Sequence, residues 1–268
     1  MIQRESGMQV STATNPLRAK LAAGRPLAGV WSVIPSAQLV GALAASGFDF
    51  LILDCEHGGY DFATLEAAIT ACEASGASPL VRTPGADAFF MQRVLDLGAD
   101  GVLVPQIADA AAASSAVKMA HFAPEGTRGY NPYTRGGNYG TPPQPKLASG
   151  YPLTGVLVES PAAAEQLERI VAIAALDLVY LGVFDYSVAL GIPGQVDDPR
   201  VQAFVERAAK IARAAGKAVG TTAMSEAQTQ RLTSLGVNVL LWGVDTWLAG
   251  QGAKTGLDLY RKFGWTPR

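Results

Sequence analysis

The sequence predicts an α/β protein of the (β/α)8 TIM barrel class. Three observations lead there. The length of 268 residues matches one such barrel. Eight short, β-rich apolar runs alternate with alanine-rich stretches of helical spacing. The scarce polar side chains of those runs gather at their ends, where a barrel keeps its catalytic groups. A doubly wound open sheet shares the alternation, but the units continue without a change of type, and eight strands close a ring.

Taken in order, residues 1–20 carry charges and no apolar block, so they read as a flexible N-terminal arm and not a secretory signal. Residues 21–268 read as one barrel domain. Strands are expected over 27–33, 48–54, 78–84, 99–106, 154–160, 176–182, 217–223 and 237–245. Helices are expected near 36–46, 61–75, 87–97, 107–120, 162–174, 198–215 and 225–235. Asp61 caps the second of these, and Asp198 with Pro199 opens the long one that ends at Gly216. No charge occurs from Pro26 to Phe48, yet Pro35, Gln38 and three glycines interrupt that stretch, which argues against a membrane span. Residues 123–153 hold six glycines, six prolines and four of the eight tyrosines. So long a loop is usually functional, and it is expected over the active-site face. The tail from Trp247 to Trp265 has an apolar side that asks for a partner, so a homo-oligomer is expected.

Composition narrows the function. The formal charge of −2 disfavours a nucleic-acid platform or a polybasic membrane binder. With 49% hydrophobic and 16% charged residues the chain is globular. Cys55 and Cys72 are too few for a disulfide scaffold and lack CxxC spacing, so a reducing cytoplasm is the expected home.

The candidate site residues sit at strand ends. Asp54, Glu56 and His57 close the second strand, Arg82 the third, Gln106 the fourth and Glu159 the fifth, and Asp185 follows the sixth. A carboxylate bonded to one ring nitrogen of His57 would leave the other free as a base. His121, at the end of an alanine-rich helix, reads as structural. Glu159 and Asp185 are either ligands of a hard divalent cation or helix caps, and spacing leaves both open. Arg82 needs an anionic partner, either a structural carboxylate or a substrate oxyanion. The ends of the seventh and eighth strands lack a glycine-rich phosphate loop, which disfavours a phosphate-binding isomerase.

The segments FDFLILDCEHGGYDF, LVRTPG, VLDLGADGVLVPQI, PEGTRGY, VES and LGVFDYSVALGIPG resemble, in this order, the HpcH/HpaI aldolase family of metal-dependent class II pyruvate aldolases. The resemblance runs from about Leu27 to Thr246. It implies a (β/α)8 barrel with a C-terminal helix exchanged between subunits, in a hexamer built as a trimer of dimers. It implies metal ligation by Glu159 and Asp185 and an acid/base dyad of Asp54 and His57. Arg82 would hold the keto or enolate oxygen, and Asp96 would reach a neighbouring subunit's site. Gln106, Gly182, Phe184 and Trp31 fall among the substrate-binding positions.

The implied activity is reversible cleavage of a 4-hydroxy-2-oxo acid to pyruvate, or a close 2-oxo acid, and an aldehyde. Mg²⁺, Mn²⁺ or Co²⁺ would assist, with no organic cofactor and no Schiff-base lysine. Two positions depart from the family pattern: Leu157 stands where QxE is usual, and Phe184 replaces a small residue before Asp185. Alternatives are a lyase of the citrate lyase β-subunit type acting on a CoA thioester, and a metal-binding barrel without catalysis.

Overall fold

The computed structural model describes residues 14–266. Its eight strands are β1 (Leu27–Ser32), β2 (Phe50–Asp54), β3 (Ser78–Arg82), β4 (Gly101–Val104), β5 (Leu153–Val158), β6 (Leu178–Leu181), β7 (Ala218–Thr222) and β8 (Val239–Val244). All pair in parallel in chain order, and β8 pairs with β1, so the barrel is closed. The expected fold class is the one observed.

Period-two alternation sorts each strand into two cores. In β2, Leu51 and Leu53 face outward to pack under helices, while Phe50 and Ile52 face the barrel axis. The inner cluster adds Leu80, Leu103, Leu153, Leu157, Leu178, Tyr180, Val239 and Leu241. Gly29 admits the Phe50 ring to the axis, since a Cβ there would overlap it.

The outer ring is α2 (Ala37–Ala45), α3 (Phe62–Ala74), α4 (Ala88–Asp96), α5 (Ala110–Ala120), α6 (Pro161–Glu165), α7 (Leu167–Val171), α8 (Val183–Ala189), α9 (Pro199–Ala214), α10 (Glu226–Ser234) and α11 (Asp245–Lys262); α1 (Pro16–Ala22) precedes them. Most begin at a side-chain cap. Asp61 forms a capping box with Thr64 at α3, and Asp198 caps α9 with Pro199 at its first position. Where one helix was expected over 162–174, Gln166 separates two short ones. α8, at seven residues, is too short to give a readable period and was not foreseen.

Two expectations about loops change. Of the arm expected over residues 1–20, residues 1–13 lie outside the described residues, and the rest is docked. Asn15 caps α1 and donates from Nδ2 to Asp100 O at 2.7 Å, while Leu17 is buried in the inner cluster at the floor of the barrel. Residues 123–153 follow α5 and not β4. They are therefore a helix-to-strand connection at the barrel's N-terminal end, opposite the expected face. There Arg135 and Lys146 pair with Glu73 near the end of α3, Lys146 reaches Asp100 at 2.8 Å, and Tyr151 donates to Asp100 at 3.0 Å.

α11 leaves the barrel after its first turns. Leu259, Tyr260, Phe263 and Trp265 at and beyond its end are exposed. Among the described residues no helix is long and apolar enough to cross a membrane.

Candidate active site

The alternation that fills the barrel axis also builds its mouth. Two residues beyond Ile52 the inward position is Asp54; beyond Leu80 it is Arg82; beyond Leu157 it is Glu159; beyond Tyr180 it is Gly182. Asp54 and Arg82 are also register partners between β2 and β3. Parallel register thus sets a carboxylate beside a guanidinium.

That pair is bidentate: Arg82 Nε donates to Asp54 Oδ1 at 2.8 Å and Nη2 to Oδ2 at 2.5 Å. Arg82 Nη1 lies 2.9 Å from Glu56 Oε2, and the guanidinium carbon stands 4.5 Å from the Trp31 ring centroid. Burial opposes the charge on Arg82, but Asp54 and Glu56 outweigh it and hold its pKa above the usual arginine value. Glu56 continues the chain of contacts, because its Oε1 accepts from Gln106 Nε2 at 2.9 Å. The Gln106 backbone N–H donates to Glu159 Oε1 at 2.6 Å. It is aimed there by a left-handed backbone (φ 57) that costs a non-glycine residue about 1 kcal/mol. Arg82, Glu56, Gln106 and Glu159 are therefore one connected network.

Glu159 leans across Gly182. A Cβ at residue 182 would lie 2.7 Å from Glu159 Cβ and 2.9 Å from its Oε2, so only glycine fits. Burial pushes the Glu159 pKa up; the Gln106 N–H opposes this, and the carboxylates of Asp185 and Glu56 add to it. Asp185, in the first turn of α8, lines the cavity at the barrel mouth together with Gly182.

Glu159 and Asp185 bring two carboxylates and few donors to one place, a set suited to a hard cation that completes its shell with water and substrate oxygens. Among the described residues no cluster of three or more His, Cys, Asp or Glu side chains could enclose a metal, so a closed site of the structural zinc type does not fit.

Asp54, expected to form a dyad with His57, meets it through the His57 backbone. Asp54 Oδ1 accepts the backbone N–H groups of Glu56 at 3.0 Å and His57 at 3.3 Å, and both its oxygens bind Arg82. His57 is exposed and lines the cavity. Asp96 lies elsewhere, at the end of α4, where its carboxylate accepts from Arg128 at 2.7 Å and its carbonyl from Gly136. Burial and the neighbouring Asp54 push the Cys55 thiol up to about 12, which removes it as a thiolate nucleophile.

The cavity measures about 480 Å³ and takes in Trp31, Asp54, His57, Arg82, Gly182, Phe184 and Asp185. The sequence reading missed others that line it. Tyr180 and Thr222 share a 2.7 Å hydrogen bond, and Trp31 Nε1 lies 3.3 Å from both hydroxyls. Burial pushes the Tyr180 hydroxyl up to about 12, so it is neutral. Their inward positions on β6 and β7 were a readable signal. Met224 and Trp247 had none, because they follow strand ends in a loop and in α11, and Val244, the last residue of β8, falls outside the inward alternation of Val239 and Leu241. Asp245 was also missed; it is buried and ties down the turn after β1 by accepting from Ser32 Oγ and the N–H groups of Val33 and Ile34, each at 3.0 Å.

Comparison with known proteins agrees with this geometry. Residues 27–251 match the model of the HpcH/HpaI aldolase/citrate lyase family. The chain is 33% identical to a hydroxypyruvate/pyruvate aldolase of Agrobacterium fabrum, over 86% of this chain and 88% of that one. It is 32% identical to a 4-hydroxy-2-oxo-heptane-1,7-dioate aldolase of Salmonella typhimurium, over 93% and 95%. Among solved structures, an HpcH/HpaI aldolase/citrate lyase family protein from Burkholderia cenocepacia superposes with a TM-score of 0.88 at 28% identity, covering 92% of this chain and all of that one. The chain belongs to the HpcH/HpaI aldolase/citrate lyase family, and the named relatives it matches along most of its length are aldolases.

Proposed function

We propose that the protein is a divalent-metal-dependent aldolase that reversibly cleaves a 4-hydroxy-2-oxo acid into pyruvate, or a close 2-oxo acid, and an aldehyde. One observation carries this reading: Arg82, Asp185 and His57 line one cavity at the C-terminal mouth of the barrel, and Glu159, packed on the inward-facing Gly182 of that cavity, feels the charges of both Asp185 and Arg82. The names of the relatives support the class of donor.

Glu159 and Asp185 are the residues that would hold the ion; when bound, it supplies Lewis-acid polarisation of the keto oxygen. Arg82, fixed on three sides by Asp54, Glu56 and the Trp31 ring, presents its charge where an enolate oxygen develops and needs no reorganisation to do so. His57, exposed toward the cavity, removes the proton of the 4-hydroxyl in cleavage and returns it in synthesis. Asp54 acts here as the anchor of Arg82 and of the turn that carries His57. Among the described residues no lysine lines the cavity, so the enolate route needs no Schiff base. A CoA thioester is disfavoured because Arg82 is the cavity's one cation among the described residues.

The exposed apolar side chains of α11 support a homo-oligomer in which this helix packs on another copy, and the family resemblance implies a trimer of dimers. Free Cys55 and Cys72 are in keeping with a reducing cytoplasm.

The test is pyruvate release from a panel of 4-hydroxy-2-oxo acids by metal-stripped protein, before and after Mg²⁺, Mn²⁺ or Co²⁺ is restored. Release that returns with the metal is the expected result. Full activity in EDTA would overturn the metal-dependent reading.

A further inference from the structure

The barrel mouth has two chemically distinct halves. Strand ends β2 to β5 supply its charges: Asp54, Glu56, Arg82 and Glu159, with Asp185 from α8 beside them. The other half, from α8 round through β7 and β8 to β1, is apolar: Phe184, Met224, Val244, Trp247, Trp31 and Val33 all face the same cavity. Thr222 and Tyr180 lie between, and their hydroxyls are already bonded to each other. Donor chemistry occupies the charged half, because Arg82, Glu159 and Asp185 are there. The aldehyde's body must then lie along the apolar half.

Resting on the aldolase reading above, we infer that the acceptor is an uncharged aldehyde with an apolar body of aromatic size, and not a semialdehyde bearing a second carboxylate. Among the described residues the cavity offers one cation, and Arg82 is engaged by both Asp54 and Glu56. A carboxylate at the far end of the acceptor would be desolvated against aromatic and aliphatic side chains with no partner, which is strongly unfavourable. It would also meet a mouth with four carboxylates to one guanidinium. The relative named for a 1,7-dioate carries a charge at both ends of its substrate; among the described residues this cavity offers no second cation to receive the other charge.

The aromatic complement favours a ring. Phe184 is 49% exposed and lines the cavity together with Trp247, whose ring packs so closely on Gly243 that a Cβ there would lie 2.7 Å from it. Such surfaces bury a flat apolar ligand well. In the synthetic direction the bond formed joins the donor methyl carbon to the aldehyde carbon. The proton lost by the methyl group is balanced by one gained at the aldehyde oxygen, so no oxidant or reductant is needed.

The experiment has two arms on the full chain with Mg²⁺ added. Exchange of the pyruvate methyl protons in D2O, followed by NMR without any aldehyde, reads enolisation alone. Pyruvate consumption with benzaldehyde and with succinic semialdehyde reads the acceptor. The expected result is methyl exchange together with a kcat/KM for benzaldehyde at least about tenfold above that for the semialdehyde. The Met224→Arg variant, which places a cation on the apolar half, should move that ratio toward the semialdehyde by about tenfold. Exchange with equal or better use of the semialdehyde would overturn this inference and leave the aldolase reading standing. Absence of both exchange and adducts would overturn the aldolase reading and this inference with it. The wild-type ratio decides even if the variant fails to fold.

Discussion

Glu159 and Asp185 differ in how the chain holds them: one is half-buried against Gly182 and takes an N–H from Gln106, the other sits exposed on α8. Replacing either with its amide should abolish measurable binding of the divalent ion by calorimetry and lower kcat by about 100-fold or more, while the thermal midpoint stays near that of the parent. Arg82→Lys keeps a positive charge but loses the fork that engages two carboxylates, so kcat should again fall about 100-fold. His121 is a contrasting case. It is buried at the end of α5 with Nε2 3.0 Å from Thr154 Oγ1, and burial lowers its pKa. The folded state therefore binds this proton less readily than the unfolded one, whose histidine titrates near pH ~6.5. The contribution is complete above that pH and is lost as pH falls through it toward the lower folded pKa. Urea midpoints measured from pH 7.5 to 5 should decline less steeply for His121→Gln than for the parent; identical slopes would count against this account.

At the scale of the element, α1 and β6 carry the clearest consequences. α1 is a plug: Leu17 is 1% exposed within the inner cluster, and Arg18 pairs with Asp177 through two bonds of 2.9 and 2.8 Å. Leu17→Ala should cost about 2–5 kcal/mol, read as a lower urea midpoint with an unchanged slope. A surface arm would show no such loss. The end of β6 is shaped for its neighbour, so Gly182→Ala should displace Glu159 and lower both metal affinity and kcat with little loss of stability. Strand positions such as these were legible because period two places every second residue on the axis. The identity of Asp54's partner was not legible, since the choice between Arg82 and His57 depends on the register of β2 on β3 and on the turn after β2.

For the whole molecule, the active-site face is polar on one side and apolar on the other, the opposite face is closed by α1 and residues 123–153, and α11 projects with its apolar side chains exposed. Removing the residues after Gly252 should lower the oligomer mass measured by light scattering while leaving the far-UV circular dichroism of the barrel largely intact; an unchanged mass would exclude α11 as the assembly element. The expected placement of residues 123–153 over the active-site face failed at this scale. A loop's face in a barrel depends on whether a helix or a strand precedes it, and α5 stands between β4 and that loop.

The sequence by itself determined the number and order of strands, their two-sided burial and the presence of Asp54, Arg82 and Glu159 at strand ends with Asp185 shortly after the sixth, because those properties follow from local periodicity and from where charge is tolerated. Tertiary structure alone decided that Arg82 is shared by Asp54 and Glu56, that Gln106 links Glu56 to Glu159, that α1 fills the floor, and that Met224, Val244 and Trp247 meet Phe184 across one cavity. These pairings join residues far apart in the chain. They arise only when closure of β8 on β1 brings the strand ends into one ring.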